Sequence, residues 1–352
     1  MDHMARVRKP PIQPVRRKLP PAPPDTPRGP GDFPAARLIP LPGHGPEDVV
    51  TDAAGMLLCG VEGGRILRVN PADGTAATVA DTGGRPLGLE VLDDGRVLVC
   101  DSHRGLLRID PGSGDVETLV AEVGGRPLRF CSNAAAMTDG TIWFTESTSR
   151  FGFENYRGAI LEQRPAGRLF RLDRDGSVAT VLDDLDFANG VALTGDQSAL
   201  IFAETAGYRV SKLWLTGGKA GQRETLLDNM PGFPDNLSRL TGGRNGRGGR
   251  IWVAIAAPRY PLLDRLANTP PVIRKAVWRI PDRLSLEPPR ATWAIAIDES
   301  GAITADYRAD RSDFYFSTGA AEHDGRLYLA SPECGALLAL DLPASGEVPS
   351  LP

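Results

Sequence analysis

Four short segments of this 352-residue chain open an apolar run with a carboxylate or an amide: Glu47-Asp48 in HGPEDVV, Asn133 in FCSNAAA, Asn189 in FANGVAL and Asp235-Asn236 in GFPDNLS. Singly, an Asn or Asp beside Gly or Pro reads as a turn former. Recurrence at one place in a repeated pattern points elsewhere. If these run starts converge, two carboxylates and two or three amides face one another. Such an all-oxygen set suits a hard divalent cation, with Glu47 and Asp235 neutralising its charge and Asn133, Asn189 and Asn236 filling its shell. Without an ion the two carboxylates repel, and one is driven toward protonation. No Cys or His grouping has zinc spacing.

Convergence requires a closed architecture, and the sequence predicts one. From Leu38 onward, units of one grammar repeat: an alternating apolar run, a D-x-G or G-G turn, a second run, and a third ending in an acidic turn. VVTDAAGMLLCGVEGGRILRVNPADGTAATVA is matched about forty residues later by GLEVLDDGRVLVCDSHRGLLRIDPGSGDVETLV. Three further units follow, the fifth expected to end in the strand AVWRI. WAIAIDESGAITADYR with GAAEHDGRLYLASPECGALLALDL is expected as the sixth. A four-stranded unit cannot cover both of its own faces, so packed neighbours in a ring bury them. The expected fold is therefore all-β, a six-bladed β-propeller with four-stranded blades over residues 35–345. The segment AARLIPL is expected to add a strand to the last blade and close the ring.

Two stretches break the rhythm, SRFGFENYRGAILEQRP in blade three and YPLLDRLANTPPVIRK in blade five. Both are too long for hairpin loops and partly helical in spacing, so they are expected as inserted lid segments that shape a pocket. Residues 1–34, rich in Pro and Arg, are expected to be a disordered tail, and 346–352 a C-terminal tail.

Composition narrows the partner. A net charge of −4 and the lack of a basic stripe with interleaved aromatics argue against nucleic acid and leave a small-molecule substrate. No run approaches the length needed to span a bilayer, and the N-terminus lacks a signal-peptide core, so no membrane span and a cytoplasmic location are expected. Cys59 and Cys100 occupy equivalent places in successive repeats, too far apart to bond, and are expected as buried thiols. Oligomeric state is not legible.

The segments GPEDVVTD, TIWFTESTSRFGFENY, ILEQRPAGRLFRLD, FANGVALTGDQSALIFAETAGYRVSKLWLTGGKAG, DNMPGFPDNLSR and EHDGRLYLAS resemble the strictosidine synthase-like and adipocyte plasma-membrane-associated proteins. These group with the wider calcium-dependent propellers: gluconolactonase, senescence-marker protein, diisopropyl-fluorophosphatase and paraoxonase. The resemblance covers Leu38 to Leu342. It implies a catalytic calcium on Glu47, Asn133, Asn189 and Asp235, with Asn236 as an additional ligand. It also matches His103 to a paraoxonase channel histidine that acts as general base. One departure matters: where strictosidine synthases carry a catalytic glutamate, this chain has Phe314, Tyr315 and Phe316. Alkaloid condensation is therefore disfavoured. Glu322 and His323 read as a turn leading into a strand, and His44 in GHGP as a turn.

The expected activity is calcium-dependent hydrolysis of a lactone or ester, with the metal polarising the carbonyl and Asp235 or His103 accepting the proton of water. A neutral imidazole near pH 7 is the better base if it faces the channel. Two other readings compete: a metal-independent biosynthetic enzyme of the strictosidine synthase type, and a noncatalytic propeller whose ion staples the channel.

Overall fold

The computed structural model describes residues 9–24, 33–239, 249–281 and 287–343. Its strands form six four-stranded antiparallel sheets and one small two-stranded hairpin. Five sheets are sequential meanders, from Val49–Thr51 outward in blade one to Gly232–Leu237 outward in blade five. The sixth has the strand order that the N-terminal segment requires. Ala36–Pro40 pairs antiparallel with Ala336–Asp341, Leu38 opposite Leu338. The ring is thus closed by hydrogen bonds between the two ends of the propeller, which leaves no seam between first and last blade.

Apolar side chains fill the wedges between adjacent blades. Leu98, Cys100, Phe144 and Phe170 pack between blades two and three, and Ile201, Val253, Ile255 and Trp293 between four and five. All four cysteines are buried free thiols. Burial pushes the Cys59 thiol up to about 12, far from the reactive range.

The fifth and sixth blades divide the sequence differently from expectation. Thr292–Ile297 and Ile303–Ala309 are the third and fourth strands of blade five, not the start of blade six. AVWRI contributes no strand: its first three residues end a helix, α3, Pro271–Trp278. Pro271 sits at the first helical position, where its missing N–H costs nothing. Blade six reaches its full strand count only with Ala36–Pro40 from the other end of the chain.

The insertions lie together on one face. The first forms α1, Tyr156–Glu162; the second forms α2, Pro261–Ala267, and α3. Both α2 and α3 pack on α1. Arg274 of α3 is fully buried, and its guanidinium donates to the carbonyls of Leu161, Glu162 and Val15, tying α3 to α1 and to the N-terminal segment.

That last contact corrects the expectation of an unpacked tail. Residues 9–24 run as an extended strap across the helices. Val15 N–H donates to the Glu162 carbonyl, Arg17 N–H to the Ala267 carbonyl, and Trp278 Nε1 to the Pro10 carbonyl. Arg17 forms a two-pronged pair with Asp186, and Ile12 is buried among Phe151, Leu161 and Phe187. A proline-rich segment has few N–H groups to satisfy, so it docks wherever a few donors meet its carbonyls. Residues 1–8 and 25–32, also within the expected tail, and 346–352 lie outside the described residues.

Two measurements test this closure. Ile39→Ala, inside the closing strand and fully buried, is expected to cost about 2–5 kcal/mol in urea denaturation, and Leu38→Ala on the outer side less than about 0.5 kcal/mol. Equal losses would contradict the register. Trypsin is expected to spare the bonds after Arg16 and Arg17 in the native protein and to cut them in Ile12→Asp, whose buried carboxylate would release the strap.

Candidate functional site

Each innermost strand of blades two to five carries a register shift at its axial start, between Pro86 and Leu89, Cys131 and Ala134, Ala188 and Val191, and Gly232 and Leu237. A bulge re-aims the side chains it contains. The bulged stretches hold Ser132-Asn133, Asn189-Gly190 and Asp235-Asn236. Gly190 is required there: a Cβ would stand 2.1 Å from the Leu237 amide nitrogen. Its absence lets blades four and five approach closely enough for Asn189 to reach Asp235.

Asn189 Nδ2 donates to Asp235 Oδ1 at 2.7 Å and to Thr205 Oγ1 at 3.1 Å, while its Oδ1 accepts from Ser132 Oγ at 2.9 Å. Asn236 Nδ2 donates to Glu47 Oε2 at 3.0 Å. Thr318 of blade six ties the set together: its hydroxyl donates to the Glu47 carbonyl at 2.6 Å, and its own carbonyl accepts from Asn236 N–H at 3.0 Å. Glu47, Asn189, Asp235 and Asn236, expected from the sequence, are thus joined by hydrogen bonds or chain adjacency.

Both carboxylates are almost wholly buried. Burial lifts Glu47 to about 7, against the donated Asn236 hydrogen bond and the Arg85 charge that favour its ionised form. Asp235 is raised well above the usual carboxylate range, first by burial and then by the Glu47 charge, despite the Asn189 hydrogen bond. Burial out of water dominates both rises, and for Asp235 the nearby Glu47 charge adds to it.

The remaining expected residues are placed differently. Asn133 Oδ1 accepts from Val191 N–H at 3.1 Å, stapling blade three to blade four, and no hydrogen bond joins it to the other four among the described residues. It borders a cavity of about 350 Å³ that also contains Asp48 and Glu90. His103 does not line the cavity above Glu47 and Asp235. It sits in the turn after the second strand of blade two, its side chain 47% exposed, with Nε2 2.5 Å from Glu154 Oε1. The turn carries the imidazole outward to a hydrogen-bond partner, so the expectation that it serves as base is not supported by its position. Glu322 is held by Arg250 and Trp252 in the strand Gly319–His323, in line with its structural reading.

Sequence reasoning missed three floor hydroxyls, Ser132, Thr205 and Thr318, and the buried Arg85 at the start of blade two. The hydroxyls carry no sequence signal, because Ser and Thr are common in loops. Arg85, placed just before its blade's first strand as Glu47 is before its own, was detectable by that position.

Above the floor opens a cavity of about 590 Å³. Glu47, Ser132, Asn189, Thr205, Asp235 and Thr318 form its polar base. Its walls are mostly apolar: Phe130, Phe187 and Phe233 from the propeller, Phe153, Tyr156, Ile160, Leu263, Leu266 and Trp278 from the inserts. Phe316 stands on the wall within the segment where the resemblance placed a glutamate.

The donor chemistry fits a hard cation. Asn236 Oδ1 is buried without a hydrogen-bond donor, beside two carboxylates and three hydroxyls. Among the described residues no three His, Cys, Asp or Glu side chains gather as a metal cluster, so Glu47 and Asp235 are the charged members of any such set.

Comparison with known proteins agrees with this architecture. The strictosidine synthase family profile matches residues 134–218, and the profile of the strictosidine synthase-like N-terminal region matches 34–69. The adipocyte plasma membrane-associated protein of Salmo salar is 32% identical over 323 residues, covering 85% of this chain and 76% of that protein. A strictosidine synthase-like protein of Arabidopsis thaliana, numbered 10 in its series, is 33% identical over 341 residues, covering 88% and 89%. Among solved structures, a gluconolactonase from Xanthomonas campestris superposes with a TM-score of 0.62 at 20% identity, covering 92% of this chain and 99% of its own. A calcium-binding regucalcin from Agrobacterium tumefaciens gives 0.59 at 16%, covering 88% and 94%. The structural likeness concerns the fold; sequence identity over nearly the whole propeller places the chain in the family of strictosidine synthase-like and adipocyte plasma membrane-associated proteins.

Proposed function

We propose that the protein is a hydrolase of lactones or esters that works with a divalent cation, calcium by preference, on its axial floor. The observation that carries this reading is the pair of buried carboxylates, Glu47 and Asp235, from blades one and five, facing amide and hydroxyl groups at the base of an apolar cavity. Glu47, Asp235, Asn189 and Asn236 would hold the ion. Bound there, it would supply Lewis acidity toward a carbonyl oxygen. The chain's own groups do the rest. The aromatic walls take the apolar body of the substrate and exclude bulk water. Thr205 and Ser132, both bonded to Asn189, fix its carboxamide. Asp235 is the proton acceptor in reach of the floor, since His103 lies elsewhere. Gluconolactonase and luciferin-regenerating enzyme among the structural neighbours make catalysis the natural reading of the fold. Condensation of an amine with an aldehyde is less favoured, because Phe316 and its neighbours replace the expected acid.

Glu47→Gln and Asp235→Asn are each expected to lower calcium affinity in calorimetry and to reduce hydrolysis of aryl esters and simple lactones by about a hundredfold or more. Full activity in chelator would refute the metal reading. Calcium binding with a higher melting temperature, but no turnover on a broad ester and lactone panel, would identify a binding propeller instead.

The raised Glu47 value sets a pH dependence of stability. Its folded value of about 7 lies above the ordinary 4.5, so the folded state holds the proton more tightly than the unfolded chain. In chelator, stability is therefore expected to be fully present below the unfolded value and to fall by up to about 3 kcal/mol as pH rises toward 7. Urea denaturation across this range measures the fall. Glu47→Gln should remove the Glu47 share of the fall and leave that of Asp235, whose carboxyl burial also raises, and saturating calcium should reverse the fall with release of protons. A wild-type profile flat in chelator would contradict the buried pair.

A further inference from the structure

Among the described arginines, Arg85 is the one that leaves two side-chain nitrogens, Nε and Nη2, buried and without a hydrogen-bond partner. It stands just before the first strand of blade two and is 5% exposed. Its Nη1 makes one long contact, 3.4 Å, with the Pro86 carbonyl. Nε and Nη2 share one edge of the guanidinium plane, the edge that takes a carboxylate side-on through two parallel hydrogen bonds. This chain uses that edge repeatedly: Arg150 grips Glu162 with it, Arg209 grips Glu204, and Arg250 grips Glu322. On Arg85 the same edge meets no acceptor among the described residues.

Four carboxylates lie close enough for their charges to act on Arg85, namely Glu47, Glu62, Asp101 and Glu154, and each is engaged elsewhere. Glu47 accepts from Asn236, Glu154 is bonded to His103, and Glu62 stands 3.7 Å from His44. Asp101 takes the Thr82 hydroxyl and the backbone N–H groups of Arg85, His103 and Arg104. A buried guanidinium edge without an acceptor is costly to the folded state. The Phe153 ring, its centroid 4.7 Å from the guanidinium carbon, answers the charge without supplying an acceptor oxygen. Glu47, Glu62 and Phe153 all line the large cavity. The guanidinium therefore lies just behind the cavity wall, at the corner between blades one and two, against the half-buried Phe153 side chain.

We propose that Arg85 anchors a carboxylate-binding subsite at this corner, reached when the Phe153 side chain turns aside, and that its ligand is a monocarboxylate with an apolar body, such as an arylalkanoic or medium-chain fatty acid. The carboxylate would accept from Nε and Nη2, and the body would lie along Phe130, Phe187 and Trp278. One guanidinium matches one negative charge; the second charge of a phosphate would find no partner here, with Glu47 and Glu62 close by. Lys9 and Arg157 also line the cavity, but Lys9 donates to the Ile280 carbonyl above the Trp278 ring, and Arg157 contacts the Tyr156 hydroxyl and lies 3.9 Å from Glu287. Hydrolysis of an ester or lactone would set free an acid of this class, so the subsite would hold the product of the reaction proposed above. The inference itself rests on Arg85 and the cavity and not on that reading.

The test is calorimetry of the full chain with octanoate, octanol and acetate, in chelator so that no cation on the floor answers for the binding. Octanoate is expected to bind about tenfold or more tighter than octanol, and about a hundredfold or more tighter than acetate, which lacks the apolar body. Arg85→Lys keeps the charge but loses the fork, and should weaken octanoate by about tenfold or more while octanol binding stays within about twofold. Lys9→Met and Arg157→Met should each leave octanoate affinity within about threefold of the parent. Phe153→Ala should speed octanoate association in stopped flow, and an unchanged rate would contradict the movement of that ring. Octanol binding as tightly as octanoate would leave a merely apolar cavity, and no octanoate binding would leave a guanidinium edge served by water alone; either result overturns the proposal. So does octanoate affinity that survives Arg85→Lys, or that is lost instead in Lys9→Met or Arg157→Met. Wild-type selectivity and the two control variants decide the question even where Arg85→Lys does not fold. No turnover is read, so an absence of hydrolase activity leaves the result untouched.

Discussion

Two carboxylates held on one axis, out of water and near each other, are the constraint around which the rest of this protein is arranged. Glu47 and Asp235 lie nearly two hundred residues apart in sequence, and the Glu47 charge adds to the cost of burying Asp235 in its ionised form. The propeller offsets that cost locally. Asn189 and Asn236 turn amide N–H groups toward the two acids. Arg85 contributes a positive charge beside Glu47, although its Nε and Nη2 are buried without hydrogen-bond acceptors. Such a floor is strained in charge and rich in oxygen, which is the condition under which a bound cation gives the greatest stabilisation.

The same stretch of chain that presents these groups also joins the blades. Asp48, next to Glu47, accepts the Leu89 N–H of blade two, and Asn133 accepts the Val191 N–H of blade four. Thr318 links blades five, six and one. Hydrogen bonds that cross between blades near the axis fix how far apart the innermost strands stand, and so fix the spacing of the site. Closure at the rim by Ala36–Pro40 serves the same end, since a ring that opened there would let the first and last blades part and carry Glu47 away from Asn236.

Over this floor the inserts build a wall of a different character. The base of the large cavity is polar, and the sides are aromatic and aliphatic. The strap at residues 9–24 holds those sides in place through its carbonyls, with Arg274 as the common donor to strap and α1. A substrate with an apolar body and one reactive polar group satisfies both regions; a polyhydroxylated one would leave hydroxyls against Phe130, Phe187 and Trp278 without partners.

Much of this was legible in the residue order. The repeat of alternating runs and D-x-G turns requires stacked four-stranded units, because each unit leaves an apolar face uncovered, and AARLIPL had no partner other than the last blade. Acids and amides at run starts marked Glu47, Asn189, Asp235 and Asn236, since local patterning sets which residues begin an innermost strand. The division between blades five and six was misread because apolar runs such as AVWRI satisfy helix and strand alike, and the packing of Arg274 under α1 is a long-range choice. The strap was misread for a related reason: its composition describes what it can bury by itself, whereas its order comes from donors on distant helices. Direction, finally, belongs to the tertiary structure. Bulges and the close approach at Gly190 turned Ser132 rather than Asn133 onto the floor and a turn carried His103 outward, because where a side chain points depends on neighbouring strands that no local spacing specifies.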